Sequence, residues 1–230
     1  MQKPAKIFRL MHKGRDFPFG MSCQEAEQQF GSGVVFWVGQ TDSGRFEAGR
    51  DEMAYPLYTI FRRCNENGLV PMFYIDESQG DKQQSACVQE CISLAGRYKL
   101  KKIVILSPVS DFLAEVRQLD PGSVEVKTGR LAGYSKSWRQ EMEKEAELGT
   151  NLIVFYRHEH GPRVIKKMIR RARSLKISIF FNIRKENDHG RDIMKGLTMI
   201  LAMAAKNGGG VFCNDPPAVR AVLEKAMARR

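Results

Sequence analysis

Short runs of apolar, β-branched and aromatic residues alternate with longer stretches of helical spacing along most of this chain. No other feature limits its fold so strictly. The runs occupy residues 34–38 (VVFWV), 70–75 (VPMFYI), 102–106 (KIVIL), 152–156 (LIVFY) and 177–181 (ISIFF). Apolar side chains at successive positions, not alternate ones, mark strands covered on both faces, and such strands belong to parallel sheets. The stretches between them have apolar residues every third or fourth position, which is the spacing of helices that pack on a sheet. Shorter strands are expected at 124–127 and 211–213. Helices are expected at 53–67, 83–98, 111–119, 137–148, 193–205 and 218–229. Gly68 and Gly149 serve as helix stops, Ser110 as a cap, and Pro216–Pro217 precede the last helix. Right-handed crossovers then give an α/β fold: a three-layer Rossmann-like domain with a mostly parallel sheet over residues 31–230. Residues 1–30 fit this rhythm poorly and read as an irregular arm or cover.

The segment 151–182 concentrates the charge. Between its two apolar runs lies a helix with Val164, Ile165, Met168, Ile169, Ala172 and Leu175 as its apolar stripe. Arg163, Lys166, Lys167, Arg170, Arg171, Arg173 and Lys176 occupy the other face with no acid among them. The whole chain, 230 residues long, has a net charge of +11. Such an excess favours anionic partners: nucleic acid, a nucleotide, an acidic protein or an anionic membrane surface. A basic helix face is the footprint of phosphate contacts, so Arg163, Lys166, Lys167, Arg170, Arg171 and Arg173 are the expected nucleic-acid-binding residues.

No apolar run reaches membrane-spanning length, and the start of the chain lacks the apolar stretch of a signal peptide. A cytoplasmic protein with no membrane partner is expected. The five cysteines, Cys23, Cys64, Cys87, Cys91 and Cys213, are odd in number and scattered, as reduced buried thiols are. Cys87 and Cys91 fall on one helical face and read as core.

Ligands of doubly wound sheets bind beyond the carboxyl ends of the strands. After the first run comes a loop containing Gly39, Thr41, Ser43, Gly44, Arg45 and Arg50. Glycine frees backbone N–H groups and arginine supplies planar forks, so the loop suits a phosphate. Its spacing matches neither a P-loop nor a GxGxxG fingerprint. Asp76 and Glu77 follow the second run and suit a ribose or Mg²⁺, or simply cap a helix. His158, Glu159 and His160 follow the run at 152–156 without further ligands at metal-site spacing, so no metal is assigned.

Four blocks carry a family resemblance. Gly129-Arg130-Leu131-Ala132-Gly133, Arg139-Gln140-Glu141-Met142, residues 147–155 and residues 168–177 together resemble the C-terminal half of a SLOG domain. That Rossmann-like superfamily includes the DNA-processing protein A fold and the cytokinin-activating phosphoribohydrolases. The resemblance covers residues 129–182. It implies binding of a nucleotide, a nucleotide-derived ligand or single-stranded DNA, with Arg130, Arg139 and Gly161 meeting the ligand.

The leading expectation is a nucleic-acid-binding protein, in DNA processing or its regulation. The alternative is a nucleotide- or nucleotide-sugar-processing enzyme. Its strand-end phosphate site would be built from 39–50 and Asp76–Glu77, with Arg130 or Arg139 as clamps. A third reading is a protein-binding inhibitor or accessory module. No reaction or cofactor is assigned, and a homo-oligomer is left open.

Overall fold

The computed structural model describes residues 6–11, 33–41, 43–49, 54–75, 80–133, 136–155, 162–183, 209–213, 216–217 and 219–221. In chain order its strands and helices are β1 (Lys6–Met11), β2 (Gly33–Gln40), β3 (Phe46–Ala48), β4 (Tyr55–Pro56), α1 (Leu57–Glu66), β5 (Val70–Ile75), α2 (Asp81–Arg97), β6 (Lys102–Ser107), α3 (Ser110–Val116), β7 (Glu125–Ala132), α4 (Trp138–Glu147), β8 (Leu152–Phe155), α5 (Pro162–Ser174), β9 (Ser178–Ile183) and β10 (Gly210–Cys213).

The expected three-layer Rossmann-like sandwich is not what these strands build. Strand β1 pairs in parallel with both β10 and β2, placing Phe8 opposite Phe212 on one side and Gly33 on the other. The sheet β1-β10-β9-β8-β7-β6-β5-β2 therefore returns to its start as a ring of eight parallel strands. From Trp37 the register runs through Tyr74, Leu106, Gly129, Leu152 and Ser178; continued across β10 and β1, it returns to β2 eight residues before Trp37. That stagger is the shear of a (β/α)8 barrel. Strand–helix alternation and two-sided burial are common to both architectures. They differ in whether the outermost strands meet, and the strand that joins them lies in the stretch set aside as an irregular arm.

Alternation along each strand sends one set of side chains into the ring and the other toward the helices. Val35, Met72, Val104, Leu106, Leu152, Val154, Phe180 and Phe212 fill the interior as one cluster, making it a packed core and not a pore. Gly129 leaves room there for the Leu106 and Leu152 side chains, which a Cβ would force to shift. Outside, Phe36, Val38, Phe73, Ile75, Ile103 and Ile105 pack beneath α1 and α2, where Cys64, Cys87 and Cys91 are buried. Ile153, Phe155, Ile179 and Phe181 lie beneath α4 and α5, and Ile165, Met168, Ile169 and Ala172 form the expected stripe of α5. The described cysteines, Cys64, Cys87, Cys91 and Cys213, are free and buried, as expected. No helix among the described residues is long and apolar enough to cross a membrane.

Four helices end in the same way. Gly68, Lys99, Gly149 and Lys176 follow α1, α2, α4 and α5 with φ of +63°, +56°, +75° and +58°. The next residue's N–H then bonds five residues back: Leu69 to Cys64, Leu100 to Ala95, Thr150 to Glu145 and Ile177 to Ala172. This left-handed closure turns the chain into the next strand. Lys99 and Lys176 are exposed and hold a conformation that L side chains enter only at a cost. Lys99→Gly and Lys176→Gly are each expected to raise unfolding stability by about 0.5–1 kcal/mol. Urea unfolding of the two variants checks this; unchanged or lowered midpoints refute it.

Candidate functional site

In barrels of this class chemistry is carried at the carboxyl ends of the strands. Among the described residues that end of the interior presents Trp37, Tyr74, Leu131 and Asn182. Trp37 and Tyr74 are register partners with ring centroids 3.8 Å apart and planes tilted by 57°. Both are half-buried. Asn182 lies opposite Phe212 and two residues beyond Phe180, both members of the interior cluster, so it faces inward. It is 6% exposed, and its Oδ1 has no hydrogen-bond partner among the described residues. An unsatisfied buried amide at the open end of a barrel is costly unless a ligand or water completes it.

The predicted phosphate loop turns out to be a hairpin. β2 runs past the ring and pairs antiparallel with β3, Gln40 facing Phe46, and β4 adds to β3. The turn consumes its own polar groups. The Arg45 amide donates to Thr41 Oγ1 at 3.2 Å and the Gln40 amide to the Gly44 carbonyl at 2.8 Å. The hydroxyls of Thr41 and Ser43 bond each other at 2.9 Å. Gly44, at φ +80°, supplies the left-handed residue. Gly39 lies in the last part of β2, and the Arg45 side chain is exposed. Arg50 lies outside the described residues, as do Gly161, Asp76, Glu77, His158, Glu159 and His160.

Arg130 points away from the interior. Its register partners Ser107 and Ile153 face the outer layer, and its Nε lies 3.5 Å from Glu145 Oε1 on α4. Glu145, buried to 4% exposure, gathers this pair with two hydroxyls: Ser110 donates to Oε1 and Thr150 to Oε2, the latter at 2.6 Å. Arg117 extends the knot by donating to Thr128 Oγ1 at 2.8 Å. Burial pushes the Arg117 guanidinium below its usual pKa, against the attraction of Glu145. Arg130 therefore holds α4 on the barrel wall and does not reach the strand-end mouth.

Helix α5 is an outer-layer crossover. Arg163, Lys166, Lys167, Arg170 and Arg173 are exposed, whereas Arg171 Nη2 bonds Glu143 Oε1 of α4 at 2.6 Å. Arg139 and Lys167 meet across a cleft of about 610 Å³ between α4 and α5, also lined by Lys136, Ser137, Trp138, Gln140 and Val164. Arg139 lies over the Trp138 ring, 5.7 Å from its centre. Of the residues named from sequence, the structure thus unites Arg139 with Lys167, and separates both from Arg130 and from the 39–45 hairpin. Among the described residues no three His, Cys, Asp or Glu side chains gather as a metal site.

No family model matches the chain, and no curated protein matches it. Solved structures do. The chain is similar to a putative glycerophosphodiester phosphodiesterase from Galdieria sulphuraria, at TM-score 0.68 and 12% identity over 97% of this chain and 100% of that one. It is similar to a phosphodiesterase from Oleispira antarctica solved with the product sn-glycerol-3-phosphate, at TM-score 0.66 and 8% identity over 96% and 97% of the two chains. A glycerophosphodiester phosphodiesterase from Parabacteroides distasonis gives TM-score 0.64 and 14% identity over 97% and 99%. At these identities the likeness concerns the fold.

Two expectations are corrected by these findings. The SLOG resemblance at 129–182 covered two strand–helix units that a barrel and a Rossmann-like sheet share, and the end-to-end matches are barrels. A nucleic-acid-binding helix in a DNA-processing fold is likewise not supported. The cations of α5 sit on the outer layer of a barrel, and Arg171 is tied to Glu143. Sequence reading missed Trp37, Tyr74 and Asn182 because they looked like strand filling. The one available signal was a polar residue, Asn182, closing the apolar run that precedes it. It also missed Glu145. Glu145→Ala, which leaves Arg130 and two hydroxyls without their acceptor, should lower stability by about 3 kcal/mol, against less than about 1 for the exposed Glu147→Ala. Chemical denaturation measures both; equal small losses would show that the knot is not holding α4.

Proposed function

We propose that this chain is a phosphodiesterase acting at the carboxyl end of its barrel on a phosphodiester of the glycerol phosphate type. The observation that carries this reading is the end-to-end correspondence with barrels bearing that activity. The chain's own residues favour it too. All four histidines follow barrel strands within six residues: His12 after β1, His158 and His160 after β8, and His189 after β9. Asp76 and Glu77 follow β5 and Asp215 follows β10. Imidazoles and carboxylates distributed after the strand ends of one barrel are the groups that acid–base chemistry on a phosphate ester requires.

In the proposed reaction water adds to phosphorus and the bond from phosphorus to the leaving oxygen breaks. One side chain removes a proton from the water, and another returns one to the departing alcohol. His12 is the chosen candidate for one of these roles, because a single bond separates it from a placed strand end. Trp37 and Tyr74 form the apolar wall of the mouth, and Asn182 meets a polar atom of the substrate. A cytoplasmic location belongs to the same proposal.

The test is release of alcohol or glycerol phosphate from a panel of glycerophosphodiesters, with nucleotide diesters alongside, with and without added divalent cations. Hydrolysis of a glycerophosphodiester is expected. His12→Ala should reduce kcat by about 10²–10⁴-fold. Asn182→Ala should reduce kcat/KM by roughly 10-fold with the fold intact by circular dichroism. A preference for nucleotide diesters would redirect the reading to nucleotide processing. A folded protein that hydrolyses none of them would overturn it.

A further inference from the structure

The cleft between α4 and α5 shares no lining residue with the mouth residues Trp37, Tyr74, Leu131 and Asn182. It lies on the outer flank of the ring, formed where the chain leaves β7 and enters α4 and by the first turns of α5. Lys136, Arg139 and Lys167 line it from two helices and the segment before one of them, with no carboxylate among the described lining residues. Two other cations on this flank are paired, Arg171 with Glu143 at 2.6 Å and Arg130 with Glu145 at 3.5 Å. Lys136, Arg139 and Lys167 have no ion-pair partner within 4.0 Å among the described residues. Three like charges converging on one concavity repel one another, and an anion seated among them turns that repulsion into attraction.

We propose that this cleft is a binding site for the phosphate group of a small phosphorylated molecule, separate from the barrel mouth. A dianion matches three cations better than a carboxylate does, and the Arg139 fork can take two phosphate oxygens while the two ammonium groups act as point charges. Its volume, about 610 Å³, exceeds what a bare phosphate fills and lies within the roughly 300–1,000 Å³ of small-molecule sites. Trp138, 8% exposed, and Val164 line it with apolar surface, while Ser137 and Gln140 add polar residues to the lining. The organic part of the ligand rests on the former and the phosphate on the cations. Such a site, lined by residues that follow β7 and β8 but by none of Trp37, Tyr74, Leu131 and Asn182, suits an effector. It does not depend on the phosphodiesterase reading.

The probe is inorganic phosphate, titrated into the whole protein against chloride at equal ionic strength. Thermal unfolding is one readout. The other is mass-spectrometric labelling of lysines by an amine reagent. Phosphate should raise the unfolding temperature in a saturable way and should protect Lys136 and Lys167. The double variant Arg139→Ala with Lys167→Ala should bind phosphate at least about tenfold more weakly, while unfolding as the parent does in chloride. Asn182→Ala, at the mouth, should keep the response. An equal effect of chloride, a response surviving in the double variant, or protection lost in Asn182→Ala would each overturn the proposal. If the double variant fails to fold, Lys136→Ser decides alone: protection of Lys167 must weaken in it, and unchanged protection overturns the site. An absence of phosphodiester hydrolysis bears on the mouth and leaves this result standing.

Discussion

Ring closure is the constraint from which the rest of the molecule follows. Strand β1 hydrogen-bonds on both sides, so none of the eight parallel strands presents an unpaired edge to water. Closure imposes a stagger, and the stagger decides which side chains share the interior. It also demands close approach at the seam. Beside β10, a Cβ on Gly209 would fall on the Ile179 carbonyl oxygen, so glycine there lets the chain run beside β9. On the opposite wall Gly129 makes room for Leu106 and Leu152. The ring thus depends on residues that contribute almost no side chain.

The elements were legible in the sequence and their closure was not. Two-sided apolar runs located β2, β5, β6, β8 and β9, and helical spacing located the stripe of α5 and the buried face of α2, because both signals are local. Whether a parallel sheet curls shut depends on a partner far along the chain, and β1, KIFRLM, mixes cations into its run. Helix stops show the same limit on a small scale. Gly68 and Gly149 announced a left-handed turn, whereas Lys99 and Lys176 adopt it with nothing in their side chains to say so.

Charge was visible from the start, yet its deployment needed the structure. Arg130 and Arg171 look like Arg139 and Lys167 in one dimension. In three, the first two are spent on Glu145 and Glu143, and the second two converge on the α4–α5 cleft. The 39–45 loop is ambiguous in one dimension for a related reason. Glycine and hydroxyl residues that suit a phosphate also suit a tight hairpin, and here Thr41, Ser43 and Arg45 satisfy one another.

The Glu145 knot has a consequence for motion. One carboxylate holds the hydroxyl that opens α3, the hydroxyl that precedes β8, and a guanidinium of β7. None of these can separate without stranding the others in a buried place. The stretch from Ser110 to Thr150 should therefore open all at once or not at all, giving this quarter of the barrel a single local unfolding step and one shared protection from hydrogen exchange. The pair of β3 and β4 lies beyond β2 and is tied instead to α1, with Ala48 buried in the core and Arg63 lying over the Tyr55 ring, 5.0 Å from its centre. The wall from Ser110 to Thr150 is thus set to breathe as a block.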